Sequence, residues 1–288
     1  MHVGRFARMV IFVAAVWLSA SCLAAHWISR RPQAPYEEPL PTVPWARASM
    51  IELTAADGAK VKGYWLHLRE DAPTAVLLHM NRADRGAMLP AAQAWAELGY
   101  NSVAVTLRSH GDAEGGRLDF GRTARLDASC AVDWVRETHG GPIVVHGVSL
   151  GSAAALFAAA ELHGKVAGYV FEAPYTNVVD ATYNRTSIYL PPVLDRLAGW
   201  SLLTVAPWFV PGVNDISPLS AAEGLDPEAP VLILIGERDQ YSTPAQMDRY
   251  RDALGGRATL VSADVGHTEW LSDVPLMVRT LSAWLENR

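Results

Sequence analysis

The residues best placed to do chemistry lie in Gly147-Val148-Ser149-Leu150-Gly151. An apolar, β-branched run from Pro142 ends there, and the small-residue stretch Ser152–Ala160 follows at once. That order reads as strand, sharp turn and helix, with a serine at the apex. The glycines have a mechanical reason: a side chain at 147 or 151 would collide with the neighbouring strand or helix. The helix N-terminus adds partial positive charge where an oxyanion would form. A serine hydroxyl is a poor nucleophile at neutral pH, so it needs a base, and the base needs a group that orients it. Asp239 follows the apolar run Pro230–Ile235, and His267 follows the run Ala258–Val261. Strand ends in a parallel sheet converge on one crevice, so Ser149, Asp239 and His267 are expected to meet there as catalytic residues. Glu237 and Asp264 are the rival acids.

The elements that would carry these residues alternate along the chain. Met50–Thr54 and Val61–Leu66 flank Asp57-Gly58 and read as a hairpin. Thr74–His79, Ser102–Leu107, the run from Pro142 to the turn at Gly147, Val166–Phe171, Val231–Ile235 and Ala258–Val261 read as strands, with helical spacing between most of them. Thr243-Pro-Ala-Gln246 reads as a helix start. This pattern predicts an α/β fold, a mostly parallel sheet with helices on both faces. The rhythm breaks at residues 176–213, which carry Tyr189, Trp200, Trp208 and Phe209 but no strand pattern. This segment is expected to form a short helical lid; a pair of surface helices is the alternative.

At these residues the chain resembles the α/β-hydrolase superfamily over 47–288. Leu77-Leu-His-Met-Asn81 is similar to the family's strand ending in His-Gly-Asn, and Arg108–Gly115 to its Arg-Gly-x-Gly-x-Ser-x-Gly loop. Phe171–Thr176 and Asp215–Pro218 resemble stretches of membrane-anchored lipid hydrolases: monoacylglycerol and lysophospholipid lipases and protein depalmitoylases. The resemblance implies an α/β-hydrolase fold and a cofactor-free serine hydrolase acting on an ester or thioester. The order serine, acid, histidine agrees with it. It implies oxyanion donors at the backbone N–H of Leu150 and of Met80 or Asn81. Met80 stands where the family has glycine, a change that would reshape the oxyanion loop or narrow the acyl pocket. Asp112 and Ala113 alter the second loop. His79, Arg108 and His110 are expected to brace loops before they contact substrate.

The chain has 288 residues, half of them hydrophobic, and a formal net charge of −6 with no long run of one sign. Nucleic-acid binding is not suggested. Its two cysteines, Cys22 and Cys130, can build neither a disulfide framework nor a cysteine zinc site. No H-E-x-x-H or comparable ligand cluster appears, so no metal is expected. Residues 9–29 carry no Asp, Glu, Lys or Arg, a length that can span a bilayer. Residues 1–31 are therefore expected to lie outside the fold as a membrane anchor, a cleaved signal peptide or a segment lipidated at Cys22. With Arg5 and Arg8 inside, the catalytic domain would lie outside the cytoplasm; Arg30 and Arg31 nearly cancel that bias. Residues 32–46 hold five prolines and read as an extended linker that holds the domain off the membrane. The expected partners are a small-molecule acyl ester or lipid and the membrane. A serine peptidase, an acyltransferase and a non-catalytic, membrane-tethered binding module remain the other readings. Asn184-Arg-Thr186 would be a glycosylation site only in a eukaryotic secretory setting.

Overall fold

A computed structural model describes residues 2–287. Met1 and Arg288, the outer ends of the anchor and domain ranges, lie outside the described residues. Eight strands form one sheet: β1 (Arg47–Thr54), β2 (Lys60–His67), β3 (Thr74–Leu78), β4 (Asn101–Val105), β5 (Ile143–Val148), β6 (Gly168–Glu172), β7 (Val231–Gly236) and β8 (Ala258–Ala263). Their spatial order is β1-β2-β4-β3-β5-β6-β7-β8. The hairpin β1–β2 and its pairing to β4 are antiparallel, and every other pairing is parallel. The central strands β3 to β7 are buried along their whole length. That explains their continuous apolar runs, since a parallel strand covered on both faces has no solvent side to keep polar.

The helices are α1 (His2–Ile28), α2 (Leu89–Glu97), α3 (Arg125–Thr138), α4 (Leu150–Phe157), α5 (Ala159–Leu162), α6 (Val178–Tyr189), α7 (Leu194–Val205), α8 (Pro218–Ala221), α9 (Pro244–Leu254) and α10 (Val274–Glu286). One core joins the sheet to α3, α4 and α9 through Val132, Ala154 and Tyr250. The other joins its opposite face to α2 and α10 through Trp95 and Leu281. Trp95 is fully buried and donates its indole N–H to His146 Nδ1 at 3.1 Å, which ties α2 to β5. The expected run of helix after the turn is split at Ala158 into α4 and α5.

Two features differ from the reading of the sequence. First, α1 is not detached from the fold. Trp17, Ser21, Ala25 and Ser29 recur every four residues on one helix face, and the last three are buried. Trp17 Nε1 and Ser21 Oγ both donate to Ser201 Oγ of α7, at 3.1 and 3.0 Å. Second, residues 32–46 do not form a free spacer; they run over the domain as a strap. Arg31 donates to the carbonyls of His110, Ala113 and Gly115. Glu38 is buried, accepts from Thr106 Oγ1 at 2.9 Å and pairs with Arg85 at 3.2 Å. Arg85 also grips Asp112 at 2.6 Å, and its guanidinium lies over the Tyr64 ring. A strap whose charges are compensated in this way trades its solvation for fixed partners.

Candidate active site

Ser149 sits at φ +50°, a strained backbone for a non-glycine residue, and is nearly buried at 6 % exposure. Its N–H donates to the Glu172 carbonyl at 2.8 Å, and Ser152 Oγ donates to the Gly147 carbonyl at 2.7 Å. These bonds clamp the turn between β5, β6 and α4. The flanking glycines are required by contact. A Cβ at Gly151 would lie 2.0 Å from the Leu78 carbonyl oxygen, and one at Gly147 would lie 2.5 Å from the Gly151 backbone. Neither neighbour is a movable side-chain end. Gly151→Ala is therefore expected to destabilise the protein by about 3 kcal/mol or more, read as a lowered midpoint in urea unfolding.

His267 reaches the serine from the loop after β8. Its Nε2 lies 3.0 Å from Ser149 Oγ and its Nδ1 lies 2.8 Å from Asp239 Oδ2. The other Asp239 oxygen, Oδ1, accepts from the N–H groups of Tyr241 and Ser242 at 2.7 and 2.9 Å. The carboxylate is thus fixed by its own loop and offers one free edge to the imidazole. The rival acids are engaged elsewhere. Glu237 accepts from Ser262 Oγ at 2.8 Å, and Asp264 pairs with Arg238 at 2.8 Å. Arg238 also pairs with Glu269, which accepts from the Gly266 N–H at 2.6 Å. That network braces the loop carrying His267. Trp270 Nε1 donates to the Ile235 carbonyl at 3.1 Å and pins the next turn under β7.

Leu150 opens α4, where the first N–H groups of a helix have no intrahelical partner. Leu150, Asn81 and Ser149 border one cavity. Met80 does not border it; its side chain packs against the apolar cluster on the α2 face instead. The Asn81 side chain is held by His110, whose Nε2 lies 3.0 Å from Asn81 Oδ1. His79 braces the same loop: Nδ1 donates to the Met80 carbonyl at 2.7 Å, and Nε2 accepts from the Leu107 N–H at 2.9 Å. Arg108 joins Asp127 and Asp57, both at 2.7 Å. All three therefore serve as loop braces.

The cavity measures about 160 Å³. Ser149 and Leu150 line it together with Val178 of α6 and Leu203 of α7. The residues 176–213 thus cover the site as two helices and short 3₁₀ turns. Asn184 ties α6 down by donating to the Tyr241 carbonyl and Gln246 Oε1, both at 2.8 Å. This commits the amide that a glycan would occupy. Gln246 Oε1 also accepts from the Thr243 N–H at 3.3 Å, as the helix-start pattern suggested.

Burial pushes the His79 and His146 pKa values down to about 3, so both are neutral in the fold. A histidine in an unfolded chain titrates near about 6.5. As pH falls through that value the unfolded chain takes up protons that the fold refuses. Stability then drops by about 1.4 kcal/mol per pH unit for each residue. Glu172 at the end of β6 acts in the opposite direction. Its carboxyl is fully buried with no oppositely charged partner among the described residues, and burial raises its pKa to about 8. It costs stability as pH rises from about 4.5 to 8. Glu172→Gln should leave the thermal midpoint unchanged below about pH 4.5 and raise it by a growing amount from there to about pH 8.

The comparisons with known proteins join this geometry. The model of a hydrolase family described as "Hydrolase_4: Serine aminopeptidase, S33" matches residues 73–223. The chain belongs to this family. The hydrolase is 24 % identical to the uncharacterised protein YqkD of Bacillus subtilis over 222 residues, 74 % of this chain and 70 % of that one. It is 24 % identical to protein bem46 of Schizosaccharomyces pombe over 204 residues, 68 % and 62 % of the two chains. The esterase Pf2001 of Pyrococcus furiosus superposes with a TM-score of 0.69 at 20 % identity, covering 88 % of this hydrolase and 99 % of that chain. The esterase EaEST of Exiguobacterium antarcticum does so at 0.61 and 15 %, covering 82 % and 98 %. The fold of this hydrolase is the α/β-hydrolase fold.

Proposed function

We propose that this hydrolase cleaves carboxylic esters or thioesters of acyl substrates through Ser149, His267 and Asp239. The observation that carries the reading is the continuous chain from Ser149 Oγ through both His267 nitrogens to Asp239, at 3.0 and 2.8 Å. His267 takes the hydroxyl proton as Ser149 Oγ bonds to the acyl carbon, and returns it to the leaving alkoxide or thiolate as that bond breaks. Asp239 holds the imidazole and stabilises its cation. The N–H groups of Leu150 and of Met80 or Asn81 hold the oxyanion, each worth about 3 kcal/mol. Water activated by His267 then releases the acyl group and restores the serine.

The family description also names an aminopeptidase. An aminopeptidase must hold a substrate ammonium, which calls for a carboxylate beside the serine. Among the described residues that line the cavity there is no Asp or Glu; the charged side chain there is Arg185, and most of the others are apolar. Both facts favour an uncharged acyl group. The name esterase carried by two superposing structures points the same way. We place the protein at a membrane through α1, whose most apolar 18-residue window has a mean hydropathy of 2.0. With Arg5 and Arg8 on the inner side, the catalytic domain lies outside the cytoplasm. A panel of acyl esters, thioesters and aminoacyl arylamides tests the chemistry. Turnover of esters or thioesters with none of arylamides is expected; the reverse preference would replace this reading by the peptidase.

A further inference from the structure

Resting on that reading, we propose that the cavity takes a single-chain acyl ester directly from the bilayer, with α1 and α7 as its membrane-side wall. Ala25, Ile28 and Ser29, from the last turn of α1 and the residue after it, line the same cavity as Ser149 and Leu150. The anchor is thus part of the binding site as well as a tether.

Three observations carry this. The first is the specificity of the α1–α7 contact. Small and polar residues every four positions let the two backbones approach, and two hydrogen bonds to Ser201 fix their register. The second is depth. Ser21 lies nine residues before Arg30, which is about 13 Å of helix at 1.5 Å per residue. Ser201, bonded to Ser21, therefore lies well inside the charge-free stretch of α1. If α1 spans a bilayer, α7 is carried below the headgroups.

The third is the outer face of α7. Val193, Leu194, Leu197 and Trp200 recur at helical spacing and are exposed, with Trp208 just beyond them. Their exposures of 43–76 % are costly in water and favourable against lipid. They continue the exposed apolar face of α1 formed by Leu23 and Trp27. Leu202 and Leu203 on the other side of α7 line the cavity. One helix thus separates the acyl site from the hydrocarbon, and the cavity behind it is lined mostly by apolar side chains, with the polar Ser29, Thr182, Thr186 and Arg185 among them. Arg185 lies over the Tyr241 ring at 5.3 Å, and Tyr241 packs against His267, so the cationic side marks the headgroup end.

The test uses full-length protein in phosphatidylcholine vesicles, with p-nitrophenyl acetate and p-nitrophenyl decanoate as substrates. Wild type should prefer decanoate, and Ala25→Trp, which fills the cavity from its α1 wall, should cut the decanoate-to-acetate ratio by at least about tenfold. Should that variant fail to fold, the exposed double variant Leu197→Asp/Trp200→Asp decides; it should lower the same ratio by about tenfold. An unchanged ratio in the variant that folds, or a wild type that prefers acetate, overturns the inference. Failure of wild type to cleave either ester would instead remove the esterase reading beneath it.

Discussion

Ser149→Ala is expected to lower kcat for an acyl ester by about 10⁶-fold, with the fold retained. The hydroxyl is the atom that bonds to the acyl carbon, and nothing else near His267 Nε2 replaces it. The turn itself does not depend on the hydroxyl. Its clamps are the Ser149 N–H to the Glu172 carbonyl and Ser152 Oγ to the Gly147 carbonyl, and both survive the change. The unfolding free energy from urea titration should therefore stay within about 1 kcal/mol of wild type. Residues that act as one unit lose their effect together. His267→Ala added to Ser149→Ala should cost little beyond the single change. Steady-state turnover with thermal unfolding as the control checks all of this. Turnover within tenfold of wild type in a folded Ser149→Ala protein would take the serine out of the reaction.

Asp239→Asn is the second large effect, and the loop decides its direction. Oδ1 accepts two backbone N–H groups, from Tyr241 and Ser242. An asparagine must place its oxygen there, because its NH₂ group cannot accept them. That turns the amide nitrogen toward His267 Nδ1, where the carboxylate now accepts. The imidazole would then carry its proton on Nε2 and face Ser149 as a donor. It could no longer take the hydroxyl proton. A loss of about 10⁴ in kcat is expected, with KM changed far less because Asp239 does not line the cavity. Equal losses in kcat and kcat/KM would mark an interaction made in the transition state. A rise in KM with kcat intact would give Asp239 a binding role instead.

Much of this was legible before any coordinates. The order of strands and helices could be read because buried parallel strands need unbroken apolar runs, and Thr74–Leu78 and Val231–Ile235 have them. The elbow was legible because Gly147 and Gly151 mark contacts that no side chain survives. The order Ser149, Asp239, His267 was legible as well, and the fold brings the three side chains within hydrogen-bonding distance. What was not legible lay where one composition can serve two ends. Ser21, Ala25 and Ser29 look like ordinary members of an apolar span, and only their four-residue spacing hints at a packed face. The proline-rich strap looks solvated. Its one strong signal was Glu38, an acid that finds Arg85 and Thr106 far along the chain. Glu172 gave no sign of its burial, since its strand mates are apolar on both sides. Met80 stood beside Asn81 in the sequence, yet of the two only Asn81 borders the cavity, while Met80 packs on the α2 face.

The most direct test is to find the covalent bond. A fluorophosphonate incubated with the full-length protein should add to one residue, and peptide mass spectrometry should place the adduct on Ser149. Ser149→Ala should carry no adduct, and Asp239→Asn should acquire it far more slowly. An adduct on another serine, or none while esters are still turned over, would contradict the account at its root.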